Sequence, residues 1–177
     1  VKKLGSGAIG FQIGPRLNAA GRMETAEKAL GLLMAKTRMT ATSLALELES
    51  LNSQRKDQQN MAVREIGERG VGGDKVIVVA GEWHEGVLGI IAGRLVEEYR
   101  RPAFVLAEVD GVYKGSGRSF GDFNLAEALM VCDSYIVGGG GHAQACGIKI
   151  EKIKLEDFRR AVNEYYQSLK LEGQERF

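Results

Sequence analysis

Cysteine, proline, histidine and tryptophan are all scarce in this 177-residue chain, which has two, two, two and one of them. Cys132 and Cys146 form neither a metal-ligand spacing nor a disulfide framework, so a reduced, cytoplasmic setting is the expectation. Two histidines with no aspartate cluster cannot assemble a metal centre. His84-Glu85 opens like a zinc helix signature, but the second histidine would fall at position 88, where Leu88 stands. No apolar run reaches membrane-spanning length and no secretory leader is evident, so no membrane partner is expected. Neither charge sign dominates: 24 Lys and Arg face 23 Asp and Glu, a formal net charge of +1. There is no global basic field, and any nucleic-acid contact has to come from a local patch.

Glycine is what the chain has in quantity, 24 residues of it. The run Gly138-Gly-Gly-Gly-His-Ala-Gln-Ala-Cys-Gly147 stands out. Successive glycines lose much entropy on folding and weaken regular elements. They suit backbone that takes positive φ or comes close to something else. A flexible linker would recruit Ser and Thr, whereas this run is flanked by Ile136, Val137 and Ile148. The reading is a binding loop, with bare N–H groups of Gly139, Gly140 and Gly141 cradling an anion and His142 beside them.

Taken in order, the chain opens on Val1 in what reads as mid-domain sequence, so a fragment of something longer is expected. Gly5-Ser-Gly-Ala-Ile-Gly10 matches the dinucleotide fingerprint. No strand is expected before it, and Phe11–Pro15 is read as unable to open a helix, so it is rejected as a cofactor site. In Gly14-Pro-Arg-Leu-Asn-Ala-Ala-Gly-Arg-Met23, Pro15 is expected to fix a turn and Asn18 to tolerate tight backbone. Arg16 and Arg22 bracket small residues, an arrangement equally consistent with close approach of a phosphate and with two surface arginines. Thr25 reads as the cap of a short helix over 26–36. A long helix follows from about Thr40 to Arg69, with Leu44, Leu48, Leu51, Ala62 and Ile66 in one stripe. Its middle, Asn52–Asn60, reads as polar on all sides, like a helix bridging two bodies across solvent.

Gly70–Gly73 marks a boundary. Beyond it, Lys75–Ala80 reads as a buried strand, Val87–Tyr99 as a helix and Pro102–Val109 as a second strand. Asp110-Gly111 signals a hairpin into a third strand, Val112–Ser119. Asp122 is placed as the cap of a helix through Met130. A strand at Gly147–Ile150 and a helix at Leu155–Leu169 close the chain. The alternation predicts an α/β domain with a mixed sheet. Trp83 is either core or a stacking surface, and His84 either meets an anion at a helix N-terminus or merely caps it. Ser116 and Arg118 alternate along the third strand and share a face, a hydroxyl beside a guanidinium. A nucleophilic Ser116 is the rival reading, but no base lies near it in sequence and no strand–elbow–helix surrounds it. Gly115 and Gly117 are expected to keep the opposite face bare.

The blocks Gly14–Met23, Gly81–Leu95, Gly115–Ser119 and Gly139–Gly147 together resemble those of the RecJ family. These are single-strand-specific 5′→3′ DNA exonucleases of the DHH phosphoesterase superfamily, acting in DNA repair and recombination. The resemblance implies residues 1–39 as the tail of a DHH catalytic domain, 40–73 as a connector helix and 74–177 as a DHHA1 substrate-binding domain. It implies that Ser116 and Arg118 hold a 5′-terminal phosphate, assisted by Arg16 or Arg22, with His84 and His142 lining a cleft. Mn2+ or Mg2+ would be ligated outside this chain, because the Asp-His-His motif is missing, and the piece alone would cut nothing. Single-stranded DNA is the implied partner. A single-strand-binding protein or a helicase is a candidate protein partner, and a monomer is implied. The glycine–histidine loop by itself is shared with oligoribonucleases, cyclic-dinucleotide phosphodiesterases and an RNA-binding module of alanyl-tRNA synthetase. The Pro15–Arg22 block is what points to RecJ.

Overall fold

A computed structural model describes residues 5–170, and the chain divides into two units, Val1–Asn60 and Met61–Phe177. In the first unit the glycine-rich start is helical rather than looped. A turn of helix α1 (Ser6–Ala8) runs through a π-helical stretch, Ile9–Ile13, into α2 (Gly14–Met23). Gly5–Gly10 is thus no strand-to-helix phosphate loop, but Phe11–Pro15 does carry helix, contrary to the expectation from composition. Pro15 lies in the first turn of α2 instead of making a turn. It follows directly on the π-helical stretch, where Gly14 N donates to Ile9 O and the regular ladder is already interrupted. Thr25 Oγ1 accepts from Glu27 N at 3.1 Å and starts α3 (Glu27–Leu33). Thr37 likewise accepts from Thr40 N at the head of α4 (Arg38–Arg69).

The small residues of α2 have a packing role. Ala19 and Ala20 are fully buried in one cluster with Ala29 and with Leu48 and Leu51 of α4. A neighbouring helix covers them, because residues without bulk let two helices approach. The polar middle of α4 is corrected too: Asn52 is only 1% exposed.

The second unit is a five-stranded mixed sheet in the order β1-β2-β3-β5-β4. It comprises β1 (Ile77–Gly81), β2 (Ala103–Val109), β3 (Val112–Arg118), β4 (Gly138–Gly141) and β5 (Ala145–Ile150). β1 and β2 are parallel, joined through α5 (Leu88–Tyr99), and the other pairings are antiparallel. Asp110 and Gly111 both take positive φ, as the two-residue hairpin requires. α5 buries Leu88, Ile91, Ala92 and Leu95, the four positions its apolar spacing selects. On the opposite face α6 (Leu125–Val131) and α7 (Leu155–Ser168) enclose Phe104, Leu106, Phe123, Ile148, Ile150 and Phe158. The Phe104 and Phe158 rings meet edge to face at 5.2 Å. α6 is capped by Asn124, whose Oδ1 accepts from Ala126 N, not by Asp122.

Asn163 does what no periodicity suggests. It projects from α7 and treats Val76 as a strand partner would, accepting from its N–H at 2.8 Å and donating to its carbonyl at 3.1 Å. Both thiols are buried, and burial pushes Cys132 and Cys146 up from 9.0 to about 11. Folding therefore favours the neutral thiols. This stabilisation is complete below the unfolded thiol range and is lost as pH rises from about 9 to about 11. Melting temperatures should fall across that window, and fall less steeply in a Cys132→Ala, Cys146→Ala double variant. An unchanged slope would show that other groups carry the alkaline transition.

Candidate phosphate-binding site

Ser116 and Arg118 point to the face of the sheet that α5 covers, because their register partners on β2 are Val105 and Ala103. They converge on Gly89, in the first turn of α5. A Cβ built on Gly89 would lie 2.6 Å from Arg118 Nη2 and 3.4 Å from Ser116 Oγ. A hydroxyl, a guanidinium and a helix N-terminus thus meet at one point. Arg118 Nη1 donates to Gly117 O at 2.8 Å, which fixes the guanidinium, and among the described residues it makes no ion pair. The combination of positive charge, a helix N-terminus and an unpaired guanidinium suits a phosphate.

His84 belongs to the same end of α5. It caps the short 3-10 turn Glu85–Val87 that leads into the helix, with Nδ1 accepting from Gly86 N at 3.1 Å. The capping reading is therefore realised, and the accepting Nδ1 puts the proton of the neutral ring on Nε2. Trp83 is half-buried, neither pure core nor open surface. Its ring lies against Gly81, and its Nε1 donates to Glu65 at 2.9 Å.

The glycine run is not a loop. Gly138–Gly141 forms the edge strand β4 against β5, and its glycines divide by face. A Cβ at Gly139 would meet Gly147 O at 2.9 Å and one at Gly141 would meet Ala145 O at 2.3 Å, whereas Gly138 and Gly140 face open space. Gly140 pairs with Gly147, which pairs with Ser116, so these three share the site's face. Gly139 and Gly141 are needed by the fold, because two backbones come too close there for a side chain. The faces of Gly115 and Gly117 are not bare either. Leu106 and Val105 crowd the first, Cys146 and Phe104 the second.

His142 is exposed at the hairpin tip, its N–H donating to Ala145 O at 2.9 Å. The tip is fastened to the site: Ser119 N donates to Gln144 O, and Leu125 N donates to Ala143 O. Sequence reasoning gave Gly89 no role, although a glycine in the first turn of an apolar helix was the available signal. It also passed over Lys114 and Lys149, which are register partners on the same face. In the first unit, Arg16 is paired with Glu49 and donates to Gln12 O at 2.6 Å, while Asn18 and Arg22 are exposed on α2. Among the described residues no three His, Cys, Asp or Glu side chains come together to hold a metal ion. Nor is any described helix long and apolar enough to cross a membrane.

Residues 73–168 match the family model described as the DHHA1 domain. The chain belongs to the DHHA1 family. Over 88% of its length it is 38% identical to the single-stranded-DNA-specific exonuclease RecJ of Bacillus subtilis, covering 21% of that protein. The crystal structure of RecJ from Thermus thermophilus in complex with Mg2+ superposes with a TM-score of 0.85 at 34% identity. That match covers 91% of this chain and 26% of the other. The Mn2+ complex of the same protein gives 0.84. The RecJ resemblance thus extends over about nine-tenths of this DHHA1 chain, and the mixed α/β architecture with its long helix is that of RecJ. The chain spans only 21% of the length of its Bacillus subtilis relative.

Proposed function

We propose that this chain is the substrate-gripping part of a RecJ-type exonuclease, holding the 5′-phosphate end of single-stranded DNA. The observation that carries this reading is the convergence of Ser116 and Arg118 on Gly89. A terminal phosphate carries more charge than an internal one and has a free end. A guanidinium, a hydroxyl and helix N–H groups aimed at one point can surround it. Gly140 and Gly147 beside them leave the sheet face without side chains, so a nucleotide can lie close to the backbone. His142 and His84 flank this floor as donors, and Lys149 adds charge for the following phosphates. Arg16, Asn18 and Arg22 remain candidates from the first unit, Arg16 with its charge already committed to Glu49.

The chemistry itself belongs to the longer protein. Mg2+ or Mn2+, present in the RecJ structures, has no ligand set among the described residues and is assigned to sequence outside this chain. We therefore take residues 1–39 as the tail of the catalytic domain, 40–73 as the connector and 74–177 as the gripping domain of a monomeric repair and recombination nuclease. A single-strand-binding protein or helicase would be its partner. Identity to RecJ of 38% over 88% of the chain supports this over an oligoribonuclease, a cyclic-dinucleotide phosphodiesterase or an alanyl-tRNA synthetase module. Competition binding is the test. A labelled 5′-phosphorylated single strand bound to the chain should be displaced by the same strand unlabelled, and poorly by tRNA or dinucleotides. Preferential displacement by tRNA or a dinucleotide would reassign the module.

A further inference from the structure

In the second unit one edge of the sheet borders a cleft that the phosphate clamp of Ser116 and Arg118 does not use. β1 stands first in the sheet order, so β2 is its neighbour and its other edge carries no strand among the described residues. Ile77 N donates to Pro102 O at 2.8 Å, with Ile77 and Ala103 in register. The bonding direction alternates along a strand, so Ile77, Val79 and Gly81 turn their N–H and C=O towards β2. Val76, Val78 and Ala80 turn theirs away. The fold answers the first of these with a buried side chain, since Asn163 accepts from Val76 N and donates to Val76 O. Among the described residues no such partner meets Val78 or Ala80.

These two residues instead line a cleft of about 320 Å³. Val79 lines it as well. Successive side chains point to opposite faces of a sheet, so the cleft lies against the edge itself. Its walls are apolar and aromatic: Ile66 from the end of α4, Leu155 from α7, and Trp83 and Tyr113. Arg69 and Arg159 also line it and are partly exposed, so it reaches solvent. The slot is short. Asn163 occupies the edge at Val76, and the Trp83 ring lies across Gly81, 2.5 Å from where a Cβ would stand. An added peptide strand would have to run past both. What fits between them is a compact, flat ligand with apolar faces and, along one edge, a donor beside an acceptor. Nucleobases have that form. Proteins that take up single bases read this edge by hydrogen bonds while apolar side chains cover the faces.

We propose that the slot on the free edge of β1 holds a nucleobase. The Val78 carbonyl accepts from the Watson–Crick edge of the base, and the Ala80 N–H, its neighbour along the strand, donates to the adjoining acceptor. The ring lies in the plane of the sheet, among Ile66, Trp83 and Leu155. The choice of ligand rests on the reading of the chain as a nucleic-acid-gripping module. The base belongs to a free nucleotide or to the bound strand, and the recognising chemistry is the same for both.

The test follows the backbone amide of Ala80 in the isotope-labelled 177-residue chain. Adenosine carries no phosphate, so the clamp has no hold on it. It should shift the Ala80 amide and the Trp83 indole N–H saturably. Adenosine dimethylated on its exocyclic amine has lost that donor and should bind about tenfold more weakly. Ala80→Pro removes the amide that donates to the base. That amide points away from β2, and an edge strand accepts proline there, so the melting temperature should change little. Adenosine binding, read at Trp83, should again weaken about tenfold. A 5′-hydroxyl oligodeoxyadenylate that also moves Ala80 puts the base on the strand, and one that does not leaves the slot to a free nucleotide. If neither ligand moves Ala80, or if the dimethylated form binds as well as adenosine, the slot is overturned. Arg118→Ala judges the clamp separately. If it still separates the two strand ends while Ala80 is unmoved, the clamp stands and the slot falls. The Ala80 shift is read on the native sequence, so a variant that fails to fold does not rescue the proposal.

Discussion

Replacing Arg118 by alanine should weaken binding of a 5′-phosphorylated single strand by about 1.5–3 kcal/mol, the usual worth of a charge-assisted hydrogen bond. A 5′-hydroxyl strand offers no terminal phosphate and should lose much less. Arg118→Lys should restore only part, because an ammonium keeps the charge and loses the planar fork. The measurement is four dissociation constants, wild type and Arg118→Ala against each strand, at one salt concentration. Gly89→Ala supplies the control that a mutation of Arg118 itself cannot. Alanine is the better helix former by about 1 kcal/mol, so the melting temperature should not fall. Its Cβ, however, would sit 2.6 Å from Arg118 Nη2, the mobile end of a long side chain. The guanidinium has to move, and the preference for a 5′-phosphate should shrink while the fold is intact. Equal losses for both strands in Arg118→Ala, or an undiminished preference in Gly89→Ala, would remove the clamp.

The second large effect separates two glycines that look alike in the sequence. Gly141→Ala should destabilise the second unit by about 3 kcal/mol or more. Its Cβ would stand 2.3 Å from Ala145 O and 2.6 Å from Cys146 Cα, and its φ is +155°. Backbone atoms on the partner strand cannot yield as a side-chain tip can. Gly140→Ala meets open space and should change stability by no more than about 1 kcal/mol. Since Gly140 shares a face with Ser116, its methyl should instead obstruct the strand, lowering affinity at unchanged stability. Urea unfolding of both variants, with binding measured on Gly140→Ala, tests the pair. Should Gly140→Ala unfold as readily as Gly141→Ala, the division of the run into fold glycines and ligand glycines is wrong.

The elements that the sequence alone determined are those whose signal is local. The spacing of Leu88, Ile91, Ala92 and Leu95 determined both α5 and its buried face. Asp110-Gly111 determined a hairpin, because only a pair tolerant of positive φ closes one in two residues. The alternation of Ser116 and Arg118 placed them on one face of a strand before any neighbour was known. Tertiary structure alone decided what each glycine and alanine serves. The run Gly138–Gly141 reads as a loop because its entropy opposes regular structure. Contact with β5 makes it a strand and admits nothing larger at Gly139 and Gly141. Ala19 and Ala20 say only that little bulk stands between Arg16 and Arg22 until α4 packs on them. Pro15 reads as a turn until a helix already under way carries it just past a π-helical stretch, where the ladder is already interrupted. Gly89 carries no signal at all in one dimension. It acquires its role from a strand 27 residues further along the chain, at Ser116. A residue without a side chain says only that space is required there, and which neighbour claims that space is a property of the fold.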